Sequence, residues 1–355
     1  METSSVARVT IPRKAVLKQL KADLIGKDSY RGVTLTYSWL ANQLGHLSLG
    51  FIPTILLFLF LSKKMEKETA ALWSAGIIAS IWIIFEAYNF LGPLLLKKPS
   101  NNKRMFLPKG SRYTFPPQWG NIAFDTTTDI IFFSFGAFAA SLCCAYTTNG
   151  LIILLVLLAL LIYPCRYWYM TKMYLQVPQY PFQFRLSQWE MDISENNRKA
   201  VEQFMEHDGE GKHLLVFGAK GSGKTTLSVG IATEMSIRRH SATYLTAMKL
   251  YCLFFDQPAV NLEELWNWRN SSLLVIDDIN PGSPIEPDLI SPKAFLRMLD
   301  TFTHNEANRL ALKSRNVIWV LGNNVPQEKD EERWEHMLEK IGVDKSHILS
   351  VNLSD

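Results

Sequence analysis

The sequence predicts two joined architectures: an all-α region of four membrane-spanning helices, then an α/β domain on a parallel sheet. Three observations carry this. Four apolar segments, each near the roughly 20 residues needed to cross hydrocarbon, lie between residues 40 and 170. A glycine-rich loop at 218–225 joins a short apolar run to a helix-forming stretch. Further apolar runs, ending in acids or amides, alternate with helical patterns up to residue 352, as βα units do.

Charge divides the same way. Of 37 Lys and Arg and 33 Asp and Glu, residues 1–186 hold 19 and 8, a net of +11. Residues 187–355 hold the remaining 18 and 25, a net of −7. A basic membrane half suits anionic headgroups. An acidic second half lacks the broad positive surface that nucleic acid requires, so nucleic acid is not a favoured partner. The four cysteines, Cys143, Cys144, Cys165 and Cys252, show no metal-ligand spacing. They read as reduced, mostly buried thiols.

The elements follow in order. Residues 1–39 form a basic segment with no apolar core, and so no cleavable signal. Residues 40–170 form the membrane region. Its spans are Leu40–Leu61, Ala70–Leu91, Asp129–Tyr146 and Gly150–Met170, with a loop at 97–128 between the second and third. That loop carries Lys97, Lys98, Lys103, Arg104, Lys109 and Arg112, whereas the hairpin at 147–149 is uncharged. The positive-inside rule then places both termini and the 97–128 loop in the cytoplasm, with lipid bilayer as the first partner. Glu86 is an ionisable group inside the second span, and reads chiefly as a helix–helix hydrogen-bonding residue. Pro53 falls within the first helix, and Pro164 near the end of the fourth.

Residues 171–193 are rich in aromatics, Gln and Pro, suited to the headgroup layer or to packing on the soluble domain, and read first as a membrane-proximal linker. The α/β domain covers 194–355. Ser194 caps a helix to about His207. Strands are expected at His213–Phe217, Ser241–Leu245, in the run Ser272–Asp278, in the run Asn316–Asn324 that ends in amides, and at His347–Asn352. Helices are expected at Lys224–Arg238, near Leu262–Trp268, and at Pro292–Lys313 and Glu328–Ile341.

The chemistry lies at the strand ends. Gly218, Ala219, Lys220, Gly221, Ser222, Gly223, Lys224 and Thr225, with Thr226 next, form a phosphate-binding loop. The glycines let successive N–H groups turn toward phosphate, and the helix N-terminus adds its dipole. Lys224 is the residue for the β and γ phosphates, and Thr225 offers its hydroxyl to Mg²⁺. Asp277 ends a buried strand as a second Mg²⁺-organising group, and Asp278 is placed to polarise water. Asn323 ends the next apolar strand, in reach of a γ-phosphate or lytic water.

These stretches resemble an AAA+ ATPase core of the branch holding replication initiators and helicase loaders. The matching text is GAKGSGKTT at 218–226, YLTAMKLYCLF at 244–254, LLVIDDI at 273–279 and VIWVLGNN at 317–324. The resemblance implies a P-loop NTPase fold, ATP and Mg²⁺ as ligands, hydrolysis supported by Asp277 and Asp278, and Asn323 as first sensor. It also implies homo-oligomers with an arginine finger acting between subunits, for which Arg333 is the candidate. Arg333 equally suits a solvated, salt-bridged helix face. The family's helical lid has no counterpart before Asp355. No Asn-Lys-x-Asp guanine reader follows the second motif.

The expectation is an integral protein of the bacterial inner membrane with a cytoplasmic ATPase domain, switching assembly or conformation with nucleotide. Its alternatives are a motor subunit of a secretion or DNA-transfer apparatus, a nucleotide-gated membrane effector, and a nucleotide-binding scaffold without turnover. A protein partner at the membrane fits the first two.

Overall fold

The computed structural model describes residues 10–24, 35–95, 114–116, 118–206, 211–256, 265–279, 290–301, 304–322 and 327–353. The chain divides into two compact units, residues 19–172 and residues 1–18 with 173–355.

The short α1 (Arg13–Leu24) crosses the division at residue 18; the first unit then holds four long helices, α2 (Leu35–Leu61), α3 (Lys67–Leu95), α4 (Trp119–Cys144) and α5 (Thr148–Gln176), the last of which continues four residues beyond it. All four long helices are long and apolar enough to cross a membrane. Their backbone groups bond internally, which a hydrocarbon medium demands. Each begins before the limit expected from apolarity, because helical hydrogen bonding continues into the polar flanks, whereas α2 ends at the expected Leu61 and α4 ends at Cys144, two residues before the expected Tyr146. α4 therefore occupies 119–128, which the sequence reading gave to the loop. Thr127 and Thr128 return their hydroxyls to the Ala123 and Phe124 carbonyls. That internal bonding lets a polar-looking turn stay helical. Pro53 lies inside α2 as expected, but Pro164 lies inside α5, twelve residues before Gln176, rather than near its end.

α2 and α3 both pack on α4 and on each other. Two glycines permit the α2–α4 approach. A Cβ at Gly50 would stand 2.0 Å from the Phe133 carbonyl oxygen, and one at Gly136 2.1 Å from that of Leu47. Small residues at a crossing are how apolar helices bring their backbones together.

The second unit is a five-stranded parallel sheet with helices. The strands are β1 (His213–Phe217), β2 (Ala242–Thr246), β3 (Leu273–Ile279), β4 (Asn316–Leu321) and β5 (Ile348–Asn352), in the order β2-β3-β4-β1-β5. The helices are α6 (Glu195–Glu206), α7 (Lys224–Ile237), α8 (Ala247–Leu253), α9 (Pro292–Asp300), α10 (Asn305–Lys313) and α11 (Gln327–Ile341). The central strands β1 and β4 are buried throughout, as a sheet covered on both faces requires. The core gathers Leu215, Phe254, Phe295, Leu312, Trp319 and Leu338 among others.

Several expectations need correction. The helix expected at Pro292–Lys313 is two helices. Ser291 caps α9, and Arg309 of α10 closes back on Asp300 at 2.7 Å. Residues 265–268 of the helix expected near Leu262–Trp268 are irregular, and the remainder lies outside the described residues. Trp266 there donates to the Ala242 carbonyl at 2.7 Å, so its apolarity marks a plug beside β2 rather than a helix face. The cysteines are not mostly buried: Cys143 and Cys252 are exposed, and Cys144 and Cys165 are intermediate. α2–α5 bury only part of their apolar surface within the chain, so an apolar neighbourhood in sequence does not enclose a thiol.

Candidate functional site

β1 delivers the chain to the glycine loop, and α7 leaves it. Gly221 and Gly223 take positive φ of 85° and 89°, where a side chain is strained. The Ser222 N–H closes a turn on the Ala219 carbonyl at 3.2 Å. Lys224 opens α7, and its ammonium donates to the Gly218 and Ala219 carbonyls at 2.7 and 2.8 Å. Thr225 and Thr226 follow in the first turn, half-buried, while Ala219 and Lys220 are exposed at the loop's outer edge.

β4 lies between β1 and β3, so the ends of three adjacent parallel strands share one edge of the sheet. Asp277 lies two residues before the end of β3, is 2% exposed, and pairs in register with Thr246 of β2. Its Oδ1 accepts the Asp278 N–H at 2.7 Å, and its Oδ2 accepts the Tyr244 hydroxyl. Asp278 has φ +56°, and the β3–β4 register shifts between Ile276 and Ile279. That break exposes Asp278 while Asp277 stays buried.

Electrostatics joins the two motifs. Burial lowers the Lys224 ammonium below the ordinary lysine range, and the Asp277 charge acts in the opposite sense. The loop lysine and the strand-end acid are therefore neighbours. Burial pushes the Asp278 carboxyl up, and Asp277 adds to the effect. The Tyr244 phenol is raised by burial and then by its bond to Asp277.

The residues present fit a phosphate ligand with Mg²⁺. Glycines line the loop, a lysine stands at its base, and the buried Ser222 hydroxyl has no hydrogen-bond partner, leaving a donor for a phosphate oxygen. Thr225 and Asp277 supply the hard oxygens that Mg²⁺ prefers.

Asn323 lies outside the described residues. β4 ends at Leu321, and the Gly322 N–H is tied to the Ile279 carbonyl at 2.8 Å. Arg333 is on α11 with a largely exposed side chain, 3.9 Å from Asp330. That geometry matches the salt-bridged helix face.

Sequence reading missed Tyr244, and it favoured a membrane-proximal linker over packing on the α/β domain for the segment after α5. The chain at 180–191 runs along α7. Tyr180 donates to the Ala232 carbonyl at 3.0 Å and meets the Ser236 hydroxyl at 2.8 Å. Arg185 pairs with the buried Glu234 at 2.7 Å. Trp189 and Met191 close on the loop: a Cβ at Gly223 would stand 2.2 Å from Met191 Cε and 3.0 Å from Trp189 Cη2. Their aromatic and apolar character was legible, but not which surface they cover.

No protein-family model and no curated protein matches the chain. The solved crystal structure of DnaI is 18% identical, with a TM-score of 0.32, over 52% of this chain and 91% of that one. The structure itself shows the fold: an α/β unit on a five-stranded parallel sheet, preceded by an all-α region of four long apolar helices.

Proposed function

We propose that this chain is a membrane-anchored, Mg²⁺-dependent ATPase of the AAA+ type, using nucleotide to switch its assembly or conformation. One observation carries the reading. The glycine loop with Lys224 and the strand-end Asp277 meet at one sheet edge, close enough for the acid's charge to act on the ammonium.

In this reading Lys224 and the loop N–H groups hold the phosphates and stabilise charge as the γ-phosphoryl group transfers. Thr225 and Asp277 hold Mg²⁺, which when bound neutralises phosphate charge. Asp278, its carboxyl raised, accepts a proton from the attacking water better than an ordinary aspartate does. Asn323 senses the γ-phosphate, and Arg333 reaches a neighbouring subunit of a homo-oligomer. The four helices anchor the chain in the bilayer, with both termini and the ATPase domain in the cytoplasm of a bacterial cell. Tags at residues 1 and 355 then report the same compartment; opposite compartments exclude an even number of spans.

The test of the nucleotide reading is Lys224→Ala in the full chain. Removing a charged donor costs at least about 1.5 kcal/mol of binding, roughly tenfold in affinity. ATP binding isotherms with and without Mg²⁺, together with phosphate release, check it. Unchanged ATP affinity in K224A sinks the assignment. Tight binding with no phosphate release in the wild type favours the scaffold alternative.

A further inference from the structure

The segment between α5 and α6 is fastened to α7 along most of that helix. Tyr180 bonds the Ala232 carbonyl and the Ser236 hydroxyl, near the end of α7. Arg185 clamps Glu234 in the last turn: its Nε and Nη2 donate to the two carboxylate oxygens at 2.7 and 3.4 Å. Phe184 and Leu186 lie on Gly230, where a Cβ would stand 3.2 and 3.3 Å from their side chains. Trp189 and Met191 lie on Gly223, the residue before Lys224. The segment thus runs antiparallel to α7, from Ser236 down to the glycine loop.

Two facts set it apart from an ordinary covering loop. The first is stiffness between its anchors. Leu186–Gln188 form a 3₁₀ turn. The Gln188 N–H donates to the Arg185 carbonyl at 2.8 Å, and the Gln188 Oε1 accepts the Arg185 N–H at 2.9 Å. A displacement at Trp189 therefore reaches the Arg185 clamp instead of being absorbed on the way. The second is unmet hydrogen bonding at the loop end. Trp189 is 4% exposed, and its indole N–H is buried with no partner. The Ser222 hydroxyl, beside Gly223, is buried and unpartnered too. Buried donors are nearly always paired, so a rearrangement that gives either one an acceptor is favoured. Gly223 stands between them at φ +89°, where the chain turns into α7.

We propose that residues 180–191 are a strap that couples occupancy of the glycine loop to the chain leaving α5, with Trp189 and Met191 as positioning residues on Gly223. The proposal rests on the nucleotide reading of the loop. Phosphate on the loop offers acceptor oxygens to the Ser222 hydroxyl, Gly223 shifts, and Trp189 and Met191 follow. The Arg185 clamp and the Tyr180 bonds carry the shift back along α7. Coupling of this kind is reciprocal. An anchored strap holds the loop ready for phosphate, and a loosened strap lowers its affinity.

Fluorine NMR tests this on the full chain in detergent, with 5-fluorotryptophan at its ten Trp positions. The resonance missing from Trp189→Phe belongs to Trp189. The probe is inorganic triphosphate with Mg²⁺, which has phosphates and no base; displacement of a fluorescent ATP analogue measures its binding. Saturating triphosphate should move the Trp189 resonance. Arg185→Ala, which loosens the strap far from the loop, should weaken triphosphate binding by about fivefold or more. Arg185→Lys, which keeps a charge for Glu234, should recover part of that loss. A resonance unmoved by triphosphate but moved by the ATP analogue overturns the proposal, because Trp189 then answers to the base. So does a resonance that neither ligand moves while the analogue is bound, or an R185A affinity equal to wild type. Failure of both ligands to bind the wild type removes the nucleotide reading itself, and the strap with it. The wild-type resonance reads out even if R185A fails to fold.

Discussion

The Tyr244 hydroxyl donates to Asp277 Oδ2, so the carboxylate that we propose organises Mg²⁺ is held from the neighbouring strand. Tyr244 in turn meets the Tyr180 ring edge-on at 6.4 Å. Tyr180 belongs to the segment that follows α5 and is bonded to α7, the helix that Lys224 opens. Carboxylate, strand, segment and phosphate loop are thus one continuous set of contacts.

Tyr244→Phe keeps the ring and removes the bond to Asp277. Losing an orienting partner of a metal-binding carboxylate costs about tenfold in metal affinity. Mg²⁺-dependent ATP affinity should fall by that factor while Mg²⁺-free affinity stays at the wild-type value. Titrating Mg²⁺ at fixed ATP checks this. Equal losses with and without Mg²⁺ would mean that Tyr244 acts only on packing.

His213 predicts acid sensitivity of the α/β unit. Its Nδ1 accepts the Trp319 indole N–H at 3.0 Å in a fully buried setting. Burial holds it neutral, with a pKa lowered from 6.5 to about 3. Its folded pKa is below its unfolded one, so only the unfolded chain takes up a proton between them. Stability is then complete above about 6.5 and is lost progressively as pH falls toward about 3. At pH 5 the loss is about 2 kcal/mol, at about 1.4 kcal/mol per pH unit. Thermal unfolding at pH 7 and pH 5 should show it. His213→Phe should lower Tm at both pH values, through the orphaned Trp319 N–H, and flatten this part of the slope.

The bundle offers a paired comparison. At Gly136 an added Cβ meets the Leu47 backbone at 2.1 Å, whereas at Gly76 of α3 nothing lies within 4 Å. Gly76→Ala should stabilise α3 by up to about 1 kcal/mol through helix propensity. Gly136→Ala should destabilise by about 1–3 kcal/mol, since backbone on both sides must shift. Thermal unfolding in detergent separates them. Equal effects would remove the close α2–α4 crossing.

The sequence by itself determined the four long helices, the five strands and the glycine-rich loop. Each rests on a local period or a short motif that neighbours in the chain define. Leu214–Phe217 and Val317–Leu321 are apolar on every side chain, and a strand covered on both faces has no other way to be written. Apolarity did not determine where helices stop, since Trp119–Thr128 is helical although polar. Register and side-chain neighbours were decided only by the tertiary structure. Tyr244 reaches Asp277 because β2 pairs with β3. Gln43, His46 and Asp129 meet because α2 and α4 cross closely at Gly50 and Gly136, although residues 43 and 129 are 86 apart in sequence. Trp189 and Met191 read as linker residues, but the Cβ-less surface of Gly223 receives them. A side chain's chemistry is written in the chain, but its partner depends on packing between segments that no local pattern encodes.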